Sequence, residues 1–188
     1  MRTEELQTLK AVLLYIIKHS AEEKRDVYGI VKTAFFAQQR HFVEYGVPLF
    51  RDEVCALPFG PVPSKIYNIL KIARGDNDVC QRHRGDGLAD VANAISFSYE
   101  RYDAKQEVDM DWLSKANVDC LDYAIDYVAT KSWRDIYECT HKSAEYQRAR
   151  NTSGQKKMND IAIACEGGAD EATIQYLQEH LEICKALA

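Results

Sequence analysis

Proline is almost missing from this 188-residue chain: its only four, Pro48, Pro58, Pro61 and Pro63, fall between residues 48 and 63. The rest of the chain is therefore free of fixed φ angles and open to helix. Paired cysteine spacing is also missing. The six cysteines, at 55, 80, 120, 139, 165 and 184, form no C-x-x-C pair and no dense framework, which argues against a zinc module or a disulfide scaffold and for buried reduced thiols. No basic excess exists; the net charge is −5, so a dedicated nucleic-acid binder is not expected. The first apolar stretch, in "MRTEELQTLKAVLLYIIKHS", is too short to span a bilayer. Acids precede it and no small-residue cleavage site comes after it, so it is not read as a signal peptide and the expected location is cytoplasmic. No phosphate loop, HExxH or nucleophile elbow occurs.

What the chain does have is helical periodicity. Leu6, Leu9, Leu13, Ile16 and Ile17 predict an amphipathic helix over 4–18. Val27, Val31, Ala34, Phe35, Gln38, Phe42 and Tyr45 predict a second, ending where Gly46 can take a left-handed cap. Phe36 and Val43 fall off that stripe, which marks this helix as central. "EVCAL" (53–57) reads as a strand and "AISFSYERY" as a second strand able to pair with it. Pro63 suits the first turn of a helix running to about Ala73. "ARGDNDVCQRHRGDG" reads as an exposed, turn-rich stretch. Asp111 or Ser114 caps a helix carrying Val118, Leu121, Ile125 and Val128, Ser132 caps "SWRDIYECTH", and a last helix starts near Asp170. The expectation is a mostly α (α+β) single domain over 1–188, with six to eight helices, a small antiparallel β element and a C-terminal helical extension over 151–188 packed on the rest.

The proline cluster is the one local anomaly. In "PFGPVP", a glycine before proline and fixed proline φ angles exclude both helix and central strand, leaving a stiff link from strand to helix. The corner carries no nucleophile or acid, so it is not read as catalytic. Its stiffness serves either the fold alone or a preorganised surface, with Phe59, Gly60, Pro61, Val62 and Tyr67 as the candidate partner interface. Residues 142–157, "KSAEYQRARNTSGQKK", hold five cations against Glu145. They read as a solvated loop or, more sharply, as a docking patch for an acidic partner.

Two constellations invite chemistry. Cys139 and His141 sit two apart on a helix, hence on nearly opposite faces, and cannot form a dyad; His141 reads as a histidine bonded to backbone. Cys80 and His83, "CQRH", with Cys139 and His141 would make a Cys₂His₂ set, but the spacings are looser than zinc sites use, and no metal and no cofactor are expected.

The run "IVKTAFFAQQRHFVEYGVPLFRDEVCALPFGPVPSKIY" resembles the signature of the Panacea domain, the SocA-like antitoxin family. Lys32, Gln38, Tyr45, Gly46, Gly60, Pro61 and Val62 stand at its motif positions, and Thr140 and His141 at its later Thr-His pair. The resemblance is strongest over 5–150. A tryptophan often comes after the Thr-His pair in that family; here Tyr146 is the nearest aromatic. The resemblance implies a helical domain that is not an enzyme and that neutralises a cognate toxin protein by direct contact. It gives no support to DNA binding, because the cysteine spacing of an appended zinc ribbon is missing. Two other readings stand beside it: an adaptor that delivers a bound protein to a protease, and a small hydrolase or thiol enzyme using His141.

Overall fold

The computed structural model describes residues 3–154 and 156–187. Its centre is a helix buried on nearly every side. Helix α1 (Thr3–His19) lies beside α2 (Val27–Tyr45), and α2 buries Ile30, Lys32, Ala34, Phe35, Phe36, Gln38, His41 and Phe42 among others. A helix apolar all round belongs in a core, and α2 packs against α1 and against several helices from later in the chain. Its ends are set locally. The Asp26 carboxylate accepts from the Gly29 N–H at 2.6 Å, and Gly46 closes the helix at φ +62°.

The chain then makes a hairpin, β1 (Val54–Leu57) with β2 (Gly60–Pro63), and enters α3 (Ser64–Ala73). The stiff link read from the prolines is thus itself a strand. Pro58 and Phe59 form the tip between paired Leu57 and Gly60, with Pro58 at the second turn position and Gly60 at the fourth, φ +102°. On the far side of β1, the Ala56 N–H donates to the Lys156 oxygen and the Met158 N–H to the Val54 oxygen, both at 2.8 Å. So β1 lies in the middle and β2 at the edge, the one place where Pro61 and Pro63 cost no ladder bond. Asp52 reaches across to cap α3, accepting from the Ser64 hydroxyl and the Lys65 and Ile66 N–H groups.

The next segment departs from the exposed stretch expected of it. It holds α4 (Asn77–Arg82), with Val79 buried, and α5 (Leu88–Ala92). The second hairpin, β3 (Ile95–Ser98) with β4 (Arg101–Ala104), is closed by Tyr99 and Glu100, both at positive φ. That tight turn pairs β3 with its own successor, not with 53–57 as its sequence suggested. Two capping boxes come next: Ser114 with Asn117 opens α6 (Lys115–Ala129), so Asp111 is not the cap, and Ser132 with Asp135 opens α7 (Trp133–His141). The basic stretch read as a loop contains α8 (Ala144–Asn151); Gln155 within it lies outside the described residues. Helix α9 (Asp160–Gly167) and α10 (Glu171–Ala186), N-capped by Asp170, complete the chain, with α10 packed on α2 and α9 through Leu177. The described residues thus hold ten α-helices and two small antiparallel strand pairs, mostly α as expected; the helices beyond eight are short ones.

Candidate functional site: a braced hairpin beside an aromatic groove

Three side chains from three helices hold the first hairpin by its backbone oxygens. From α2, the Lys32 ammonium donates to the Pro61 oxygen at 2.8 Å. From α7, His141 Nε2 lies 3.1 Å from the Pro58 oxygen. From α8, the Tyr146 hydroxyl donates to the Leu57 oxygen at 2.8 Å and stands 3.0 Å from His141 Nε2. His141 is itself fixed from below, its Nδ1 2.8 Å from the Tyr137 oxygen one turn earlier. Thr140 donates to the Ile136 oxygen and sits under Gly60. A Cβ on Gly60 would fall 2.6 Å from the Lys32 nitrogen and 2.8 Å from the Thr140 oxygen, so the position needs glycine for space as well as for φ.

The motif residues therefore divide by role. Lys32, Gly60, Pro61, Thr140 and His141 meet at the hairpin. Gln38 acts nearby on the approach to it: its carbonyl accepts from the Leu49 and Phe50 N–H groups and its amide donates to the Phe50 oxygen. Tyr45 and Gly46 lie apart, at the far end of α2. Tyr45 is exposed beside His41, and Gly46 faces the Tyr176 ring of α10.

Of the corner's apolar side chains, Phe59 projects from the tip with 63% of its surface exposed, Tyr67 is half-buried, and Val62 faces inward at 5%. Val62 is inward because β2 is a strand packed on α2 and α3, with all four of its residues buried. Beside Phe59 an open groove of about 460 Å³ runs between the hairpin and the N-terminal end of α2, walled by Tyr28, Leu57, Phe59, Val62, Tyr67 and Trp133. Trp133 is 51% exposed and begins a ladder of rings: Trp133 on Tyr137 at 5.0 Å, Tyr137 on His141 at 3.7 Å, His141 on Tyr146 at 4.6 Å, with Tyr28 5.8 Å from Trp133. The aromatic wall and the hairpin brace are thus one stacked unit. Trp133, Tyr137 and His141 at i, i+4, i+8 were visible as a stripe in the sequence; Tyr28 and the capping Asp52 had no such signal.

The electrostatics of the site come from burial. Lys32 is fully buried, and with no carboxylate paired to it burial lowers its ammonium to about 7. Its nitrogen lies 5.2 Å from the centre of the Tyr28 ring. Tyr28 is pushed up to about 12, by burial first and then by Asp26 and Tyr137. Asp52 is raised to about 6 by burial, against the donors that favour its anion.

The basic stretch is largely committed within the fold. Arg148 forks onto buried Glu145 at 2.6 and 2.7 Å, Lys157 pairs with Glu53 at 2.7 Å, and Lys156 donates to the Arg150 oxygen. A larger cleft of about 1130 Å³ opens there, toward α10, but its Arg148, Lys157 and Arg51 already face Glu145, Glu53 and Glu5. His83 has Asp86 on one ring nitrogen and Asn68 on the other. Among the described residues no group of three or more His, Cys, Asp or Glu side chains is placed to hold a metal ion, and no helix is long and apolar enough to cross a membrane.

A family model described as Antitoxin SocA-like, Panacea domain matches residues 30–147, and the chain belongs to that family. The matched span begins two residues before Lys32 and ends one residue after Tyr146, so it encloses all three braces of the hairpin. No curated protein and no solved structure matches the chain.

Proposed function

We propose that this protein neutralises a toxin protein by binding it directly, through the face made by the hairpin tip and the aromatic groove. The carrying observation is the exposure of Phe59 on a tip whose backbone is held by Lys32, His141 and Tyr146. An apolar anchor that is already ordered loses little entropy on docking, and aromatic anchors flanked by a groove are what strong contact sites are built from. Membership of an antitoxin family supports a toxin as the partner. The action is binding and not catalysis: His141 has its nitrogens among two backbone oxygens and a phenol, with no carboxylate or thiol beside its ring among the described contacts.

The test is to express the neighbouring gene alone and with this one. The neighbour should be toxic alone and harmless in the pair, with its amount unchanged and the two proteins co-purifying. A harmless neighbour, or one still toxic in the pair, overturns the reading; loss of the toxin in place of its inactivation would replace occlusion by delivery to a protease.

A further inference from the structure

Both nitrogens of the His141 ring face carbonyl oxygens, which can only accept. Nδ1 lies 2.8 Å from the Tyr137 oxygen and Nε2 3.1 Å from the Pro58 oxygen. The third neighbour, the Tyr146 hydroxyl 3.0 Å from Nε2, already gives its proton to the Leu57 oxygen. A neutral imidazole has one N–H and one lone pair. Placed here, it would set that lone pair against the Pro58 oxygen or, in the other tautomer, against the Tyr137 oxygen. The imidazolium, with both nitrogens donating, matches every neighbour. His141 is also the last residue of α7, where the negative end of the helix favours a cation, and the Tyr137 ring stacked at 3.7 Å presents its π face to that charge. His19 repeats only half of the arrangement. Its Nδ1 lies 2.9 Å from the Tyr15 oxygen and its ring stacks on Tyr15 at 3.9 Å, with no acceptor on Nε2 among the described hydrogen bonds.

We propose that His141 is a proton-operated clasp: as the imidazolium it holds the hairpin tip in its docking position, and loss of the Nε2 proton releases the tip. The consequence for a partner rests on the reading above, because the clasp regulates that same face. The ring is half-buried, so its proton exchanges with solvent. When that proton leaves, the Nε2 lone pair meets the Pro58 oxygen. Either the Pro58 carbonyl turns away, or the Tyr146 hydroxyl turns to Nε2 and leaves the Leu57 oxygen; each way, one brace of the turn is lost. Lys32 cannot work this clasp, because a neutral amine still has N–H bonds to give the Pro61 oxygen. Of the charges on the surrounding elements, Lys32 sits at Pro61, Arg150 on α8 acts on Tyr146, and Lys142 follows the ring in sequence. Glu138 on α7 and Glu53 below the hairpin are paired with Arg134 and Lys157. The cations oppose the second proton of the ring, and the oxygens, the helix end and the Tyr137 face hold it.

The test follows the ¹⁵N-labelled protein from about pH 5.5 to about pH 8.5, a range across which histidine titrates. Two quantities are read: the protonation of the His141 nitrogens, from long-range ¹H–¹⁵N spectra, and the exchange protection factors of the Leu57 and Gly60 amides, which pair across the turn. The two should fall together, protection by about tenfold, the effect of losing one charge-assisted hydrogen bond. The His19 signal should change with no counterpart at the tip. His141→Gln offers a donor that does not titrate, and its tip protection should stay within about twofold over the same range. That variant keeps Lys32, so any effect of the lysine appears in both proteins and cancels. Wild-type protection that changes without the ring, or a ring that loses its proton without the tip, overturns the proposal. An equal fall in His141→Gln overturns it too. The wild-type titration decides even where the variant fails to fold. Constant tip protection while co-expression still protects the cell means that the clasp is wrong and neutralisation stands; a working clasp while co-expression fails means that the tip serves a partner other than a toxin.

Discussion

Among the described residues stand two hairpins of the same length, each with an aromatic residue at its tip, and only one of them is built to hold that residue still. Phe59 rides on a hairpin whose Pro61, Pro58 and Leu57 oxygens are met by Lys32, His141 and Tyr146 from three different helices. Tyr99, almost fully exposed, rides on a turn where it and Glu100 both take positive φ, anchored lower down by the Arg101–Glu22 and Arg25–Asp103 pairs, by the Tyr102 N–H on the Arg25 oxygen and by the buried Tyr102 ring. Exposure alone does not distinguish them. Preorganisation does: the first tip is braced from three helices and borders the aromatic groove.

The sharpest way to break the contrast is to spoil the seat of the first hairpin. Gly60→Val places a β-branched side chain at φ +102° and against Lys32 and Thr140. It should cost about 4 kcal/mol in urea unfolding, the sum of backbone strain and overpacking. Lys32→Met probes the brace beneath through pH. Lys32 in the fold is lowered to about 7 from the usual 10.5, so the unfolded chain binds more protons between those values, and the folded wild type gains stability as pH rises through that window. Wild-type stability relative to Lys32→Met should therefore rise by about 2–3 kcal/mol from pH 6 to pH 9. A flat difference would mean that Lys32 keeps its ordinary ammonium. Tyr146→Phe leaves the Leu57 oxygen without its phenol partner and should cost about 1 kcal/mol, with faster amide exchange at the hairpin tip. Tyr99→Ala, the control on the other hairpin, should stay within about 0.5 kcal/mol of wild type.

Much of this contrast was legible in the residues themselves, and the illegible part has physical causes. The long helices announced themselves by period and cap, as α2 did through its stripe and Gly46. The proline spacing located the stiff turn, because φ is fixed residue by residue. Reading that turn as a link and not a strand concealed its packing on α2 and α3, which sends Val62 inward. The β3–β4 turn had no signature, since Tyr99 and Glu100 occupy positive φ where Asn-Gly is the usual choice. Helices as short as α4, α5, α8 and α9 hold too few turns for a period to show. The brace itself joins residues more than eighty apart, Tyr146 to Leu57 and His141 to Pro58, and no local pattern encodes such a pair.

The central claim is that the braced tip, and not exposure, makes the contact face. Calorimetric titration of the co-expressed toxin into Phe59→Ala and into Tyr99→Ala tests it most directly. The account predicts about a thirtyfold loss of affinity for Phe59→Ala, the range of a hot-spot aromatic, at unchanged melting temperature, and none for Tyr99→Ala. Equal affinities in the two variants, or a loss confined to Tyr99→Ala, would contradict it.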